Sequence, residues 1–125
     1  MTFDKLITHA EKVLAPRQIA NNAWVGSVAA ALLAESGNVY TGVCIDTCAG
    51  MGFCAEHAAI AAMITAGESR ILKIVAIGST GIYAPCGRCR EFICQVHDEN
   101  LDAEVLVAPG EVVTVKDLLP WRWEK

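Results

Sequence analysis

The sequence predicts a single α/β layered domain, residues 1–125, and three observations carry that prediction. Helical and extended stretches follow one another in the order αββαβαβ, with helices long enough to cover a sheet. The 125 residues are 54% hydrophobic, enough to bury one core. The longest apolar runs, Val28 to Ala34 and Ala58 to Ala66, are short and Ala-rich, which suits a buried strand and a buried helix. Neither approaches the roughly 18 residues needed to span a bilayer.

Each element has its own signal. Residues 3 to about 15 carry Phe3, Leu6, Ile7, Ala10, Val13 and Leu14 at helical spacing, stopping before Pro16. Val28 to Leu33 and Val39 to Ile45 read as strands joined through the turn Glu35-Ser36-Gly37-Asn38, a hairpin. Residues 46 to 53 are Gly-rich and small, a loop. Ala55 to Ala66 is a strong helix former that ends at Gly67. Ile71 to Ile77 is a β-branched run typical of a buried strand, and 78 to 85 a loop. Gly87 to about His97 forms a second covering helix with Phe92, Ile93 and Val96 inward. Glu104 to Val107 and Val112 to Val115 are short strands before a Trp-rich tail from Leu118.

Composition excludes several functions. Net charge is −4, and beyond Arg88 and Arg90 there is no basic run, so a phosphate-tracking nucleic-acid binder is not expected. A small-molecule substrate is favoured. The Met1-Thr2-Phe3-Asp4-Lys5 start lacks a signal peptide's charged and apolar regions, which points to the cytoplasm. There, six cysteines read as reduced thiols or metal ligands. A mean hydropathy of +0.38 suits a chain that loses apolar surface in an oligomer.

The chemistry concentrates in Cys54-Ala55-Glu56-His57 and Pro85-Cys86-Gly87-Arg88-Cys89-Arg90. Cys54 opens one predicted helix, and Cys86 and Cys89 lie at the start of another, where unpaired N–H groups favour thiolate. One helical turn brings Cys86 and Cys89 to the same cation. Three thiols on Zn²⁺ leave a fourth position for water, whose protons Glu56 can move. Arg88, Arg90 or His57 can offset the thiolate charge by hydrogen bonding to sulfur. Two readings compete. Cys54-x-x-His57 with Cys86-x-x-Cys89 also fits a closed Cys₃His zinc site in a non-catalytic interaction module, and a redox Cys-x-x-Cys would leave Cys54 and Glu56 unexplained.

These motifs, with Thr41-Gly42-Val43 and Val75-Ala76-Ile77-Gly78, resemble the cytidine deaminase superfamily in its three-cysteine branch. Leu118-Leu119-Pro120 and Trp123-Glu124 are similar to the blasticidin S deaminase subgroup. The resemblance implies a three-layer α/β/α sandwich on a mixed five-stranded sheet, and a homotetramer. It implies zinc on Cys54, Cys86 and Cys89, attack of activated water on C4 of a cytosine ring, and Glu56 shuttling protons to N3 and the leaving amine. The Ala55 N–H would hold O2, the Ala84 carbonyl the amino group, and Trp123 would close over the substrate.

One stretch departs from the relatives. Nucleoside-specific cytidine deaminases carry Asn-x-Glu-Asn after the second strand to bind sugar hydroxyls, and here it is Cys44-Ile45-Asp46-Thr47. Asp46 can still accept from a hydroxyl, whereas Cys44 serves either packing or ligand contact. Cytidine or deoxycytidine is therefore the expected substrate. Blasticidin S or a related aminoacylated cytosine nucleoside is the alternative.

Overall fold

The computed structural model describes all of residues 1–125. Helix α1 (Phe3–Glu11) starts at Thr2, whose hydroxyl caps the Lys5 N–H at 3.3 Å. It stops short of the predicted residue 15, because the chain must straighten before Pro16 to enter a strand. There follow β1 (Arg17–Ala20), β2 (Ala23–Ala34) and β3 (Val39–Thr47). Then come α2 (Ala55–Thr65), β4 (Ile71–Gly78) and β5 (Gly81–Tyr83). Helix α3 (Gly87–Gln95), a 3₁₀ turn at Asp98–Asp102, β6 (Glu104–Ala108), β7 (Glu111–Thr114) and a 3₁₀ turn at Lys116–Leu118 complete the chain.

All strands join one mixed sheet. The neighbours β3, β2, β4, β6 and β7 are antiparallel except for the parallel pair β4–β6. The expected five-stranded sheet is thus corrected to seven strands. The additions are β1, alongside the first residues of β2, and β5, alongside the last residues of β4. Neither leaves an apolar pattern to read, since every residue of β1 is exposed and β5 has only 3 residues.

Strand β2 is flanked by β3 and β4 and buried on both faces from Ala29 to Ala34, so alternate residues serve different layers. Ala29, Ala31 and Leu33 pack with Leu6 and Ala10 of α1 on one face. Ala30, Leu32 and Ala34 pack with Ala59, Ile60 and Met63 of α2 and Ile93 of α3 on the other. The result is the α/β/α sandwich. Small residues set the height of α2 above the sheet. A Cβ on Gly42 would lie 2.4 Å from the Ala59 backbone N, so only glycine in β3 lets the helix seat this closely. Because α2 begins against the end of β3, that seating fixes where its first turn lies.

Two polar devices secure the far end of the sheet. Asn100 is fully buried; its Oδ1 accepts the Ile71 N–H at 2.7 Å, and its Nδ2 donates to the Ser69 and Ile93 carbonyls at 3.0 Å each. Replacing it with Ala strands buried backbone groups on β4 and α3. Asn100→Ala is expected to cost about 3 kcal/mol in denaturant unfolding. A midpoint equal to that of the parent protein would refute the role.

Glu68 accepts from Asn38 Nδ2 at 3.0 Å and from the Tyr40 hydroxyl, tying the β2–β3 hairpin to the end of α2. Hydrogen bonds from Ser36, Tyr40 and Asn38 lower its pKa from 4.5 to about 2. A depressed carboxylate adds stability above the unfolded-state pKa and loses it as pH falls through the folded value. Glu68→Gln is therefore expected to lie below the parent in stability at pH 7, with the gap closing between pH 4.5 and 2. Thermal melts of both proteins across that range would read it, and a pH-independent gap would contradict it.

Candidate active site

Cys54 and Cys86 are the N-caps of α2 and α3, and neither side chain caps its own helix. Their sulfurs are free to face one another, 3.5 Å apart. Cys89, in the first turn of α3 and fully buried, completes the group, and the three Sγ atoms lie within 4.8 Å of one another. Tetrahedral zinc with sulfurs at about 2.3 Å spaces them by about 3.8 Å, so the cradle fits that ion.

Burial pushes the Cys54 and Cys89 thiols up, and the neighbouring sulfur and Glu56 charges add to this. At Cys86 burial acts in the same direction, but hydrogen bonds from the Cys89 and Arg88 backbone N–H groups and with the Cys54 and Cys89 thiols together overcome it, and the thiol falls. The expected lowering thus holds at one cysteine of three.

His57 places Nδ1 3.2 Å from the Cys89 sulfur and stacks on Phe92 with ring centroids 4.3 Å apart and 9° between planes. It stands outside the mutually close group of sulfurs, of which Cys54 and Cys86 line a cavity. Burial and the Arg88 charge lower its pKa. Arg88 borders the cavity. Arg90 turns from the sulfurs to the backbone, donating from Nε to the Pro85 carbonyl at 2.8 Å and from Nη1 to the Leu118 carbonyl at 3.4 Å.

The cradle opens into a cavity of about 460 Å³. Glu56, Ala55 and Ala84 line it with Cys54 and Cys86, while Cys44, Asp46 and Ser27 line its β2–β3 side. Glu56 is 6% exposed, and burial raises its carboxyl pKa. Ala55 opens α2, so its N–H has no partner within the helix.

Trp123 is not brought to this cavity. Its backbone N–H donates to Glu91 at 3.0 Å and the residue is 66% exposed, bordering a separate groove beside Cys94 and Leu101. Phe53 and Tyr83 also wall the cavity, and sequence reasoning does not find them. Phe53 directly precedes Cys54, and its N–H and C=O both bond Ile45 at 3.0 Å, which pins the loop to β3. Adjacency to the cysteine is the one sequence signal that could have found it.

Fold and cradle define a small α/β protein whose three cysteines could hold one metal ion beside a buried carboxyl. The chain belongs to the cytidine and deoxycytidylate deaminase zinc-binding family, whose model matches residues 3–103. It is 30% identical over 129 aligned positions to a cytidine deaminase of Sporosarcina psychrophila, covering 100% of this chain and 93% of that protein. It is 32% identical over 96 positions to a cytidine deaminase of Mycobacterium tuberculosis, covering 75% of this chain and 70% of that one. Its fold matches the crystal structure of cytidine deaminase from Mycobacterium tuberculosis with a TM-score of 0.83 at 24% identity, over 100% of this chain and 99% of that chain. That from Burkholderia pseudomallei matches with a TM-score of 0.78 at 28% identity, over 98% and 100%.

Proposed function

We propose that the protein deaminates the cytosine ring of a free nucleoside, cytidine or deoxycytidine, by zinc-dependent hydrolysis that yields the uracil form and ammonia. The observation that carries this reading is the buried Glu56 carboxyl in the same cavity as two of the three cradle cysteines. Cys54, Cys86 and Cys89 hold zinc, which, when bound, lowers the pKa of a water and supplies a nucleophile at neutral pH.

The remaining steps belong to the chain. C4 is a poor electrophile until N3 is protonated, so Glu56 takes the proton from water and delivers it to N3. After attack the same carboxyl carries a second proton to the amine, which leaves as ammonia while C4 becomes the carbonyl. The Ala55 N–H, at the positive end of α2, holds O2. The Ala84 carbonyl orients the amino group. His57 donates from Nδ1 to the Cys89 thiolate and draws charge from it, the part an outer partner plays in tuning a ligand.

The position of His57 outside the mutually close sulfurs supports this reading over a closed Cys₃His structural site. Net charge −4 favours a small substrate over a nucleic acid. Exposed Trp121 and Met51 are apolar surface that a homo-oligomer would cover, and the homotetramer that the resemblance implies is to be checked by sedimentation. No helix is long and apolar enough to cross a membrane. Six free cysteines fit the reducing cytoplasm.

The test is absorbance loss and ammonia release across cytidine, deoxycytidine, cytosine and blasticidin S. Turnover of the first two is expected. Turnover of blasticidin S alone would replace the proposed substrate, and inactivity on the whole panel would refute the function.

A further inference from the structure

We propose that Ser27 is a specificity-determining residue, carried to the cavity on a β-bulge and anchored there by Cys44, whose hydroxyl acts with Asp46 to recognise a sugar hydroxyl of the substrate. This rests on the cytosine-nucleoside reading of the site.

The bulge is visible in the strand register. Between the pairs Val25–Ile45 and Ala29–Val43, β2 advances four residues while β3 advances two. The surplus is taken up at Gly26-Ser27-Val28, and a bulge of this kind re-aims a side chain. It is locked from behind. Gly26 has φ +78°, and a Cβ there would lie 2.3 Å from the Ala15 carbonyl oxygen, so no other residue fits. Its own carbonyl accepts the Ala15 N–H at 3.2 Å.

The bulge meets Cys44 from two sides. The Val28 N–H donates to the Cys44 sulfur at 3.3 Å, and Ser27 Oγ lies 3.1 Å from it. Cys44 is only 7% exposed. Its sulfur, which also reaches Asp46 Oδ2 at 3.9 Å, is therefore engaged by the protein and works as scaffold. The polar group presented to the cavity is Ser27, which is exposed and lines it beside Asp46. Asp46 follows Cys44 by two residues on β3, on the same face of the strand.

A carboxylate only accepts, while a serine hydroxyl both donates and accepts. Together they complement a sugar hydroxyl, which also does both. They disfavour an anionic group such as a phosphate, which would meet the Asp46 charge.

The experiment measures kcat and KM of the zinc-loaded protein, Ser27→Ala, the near-isosteric Cys44→Val and the double variant. The substrates are cytidine, 2′-deoxycytidine and 3′-deoxycytidine. Ser27→Ala is expected to lower kcat/KM by about three- to tenfold, mainly through KM, for substrates bearing the recognised hydroxyl. The analogue lacking that hydroxyl should be unaffected. Because Cys44 holds Ser27 in place, the loss caused by Cys44→Val should shrink when Ser27 is already Ala. Equal kcat/KM for Ser27→Ala and parent across the series would overturn the proposal alone. So would a Cys44→Val loss that persists in full when Ser27 is already Ala. A parent protein inactive on all three substrates would overturn the functional reading and the proposal together.

Discussion

Replacing Glu56 with Gln is expected to lower kcat for cytosine-nucleoside deamination by about a hundred- to ten-thousand-fold, the span that a positioned general acid–base contributes. The substitution keeps volume and a carbonyl oxygen but removes the group that takes a proton from water and returns it to N3 and the amine. The carboxyl is 6% exposed, so solvent cannot readily stand in for it. Glu56 is not one of the three mutually close cysteines, so the variant should still carry one zinc per chain by metal analysis. Those two readouts must separate. Full activity in Glu56→Gln would sink the assigned mechanism. Loss of zinc together with activity would make Glu56 a ligand instead.

The second large effect is expected at Cys89. It is fully buried at the start of α3, and its sulfur meets His57 Nδ1 at 3.2 Å. Cys89→Ala removes one of three ligands, leaves His57 without its partner and opens a small void. Dialysed protein should carry far less than one zinc per chain and be inactive. The thermal stabilisation that added zinc gives the parent, which follows from binding the folded state, should vanish. The variant His57→Phe provides the scale. Losing an outer partner costs about 10- to 100-fold in metal affinity, so His57→Phe should weaken zinc binding measurably while Cys89→Ala weakens it much further. A Cys89→Ala protein that held stoichiometric zinc would remove Cys89 from the cradle.

Some of the fold is plain in the residues and some is not. The apolar run of β2 is legible because its residues from Ala29 to Ala34 are buried on both faces and leave no polar interruption, whereas the Ala-rich run expected to be a buried helix is helical but exposes Ala61, Ala62, Ile64 and Thr65 on its outer side. Strand β2 nevertheless begins at Ala23, five residues before the predicted Val28, since its first part is a partly exposed stretch around Trp24 that pairs with β1. β1 and β5 form because hydrogen-bonding partners are available at the ends of longer strands, a cause located in the partner and absent from their own sequence. The cysteine motifs are legible because metal chemistry restricts residue type and spacing. The place of Trp123 away from its own chain's cavity is not legible by the same logic, because a tail is positioned by what it touches, and here that is Glu91 on α3.

By itself, the sequence determined the layered α/β class, the three thiols that form the cradle and the carboxyl between the first of them and His57. Residue type and short spacing settle these, since a thiol is needed to bind the metal and one helical turn suffices to align two of them. The tertiary structure alone decided which groups complete the site. It brought Cys54 within 3.5 Å of Cys86 across 32 residues of chain. It put His57 against one sulfur but outside the mutually close group of three. It turned Cys44 into an anchor and a bulged Ser27 into the polar wall. The reason is physical: these relations depend on how closely α2 seats on β3 and how β2 bulges, and both follow from contacts between residues distant in sequence.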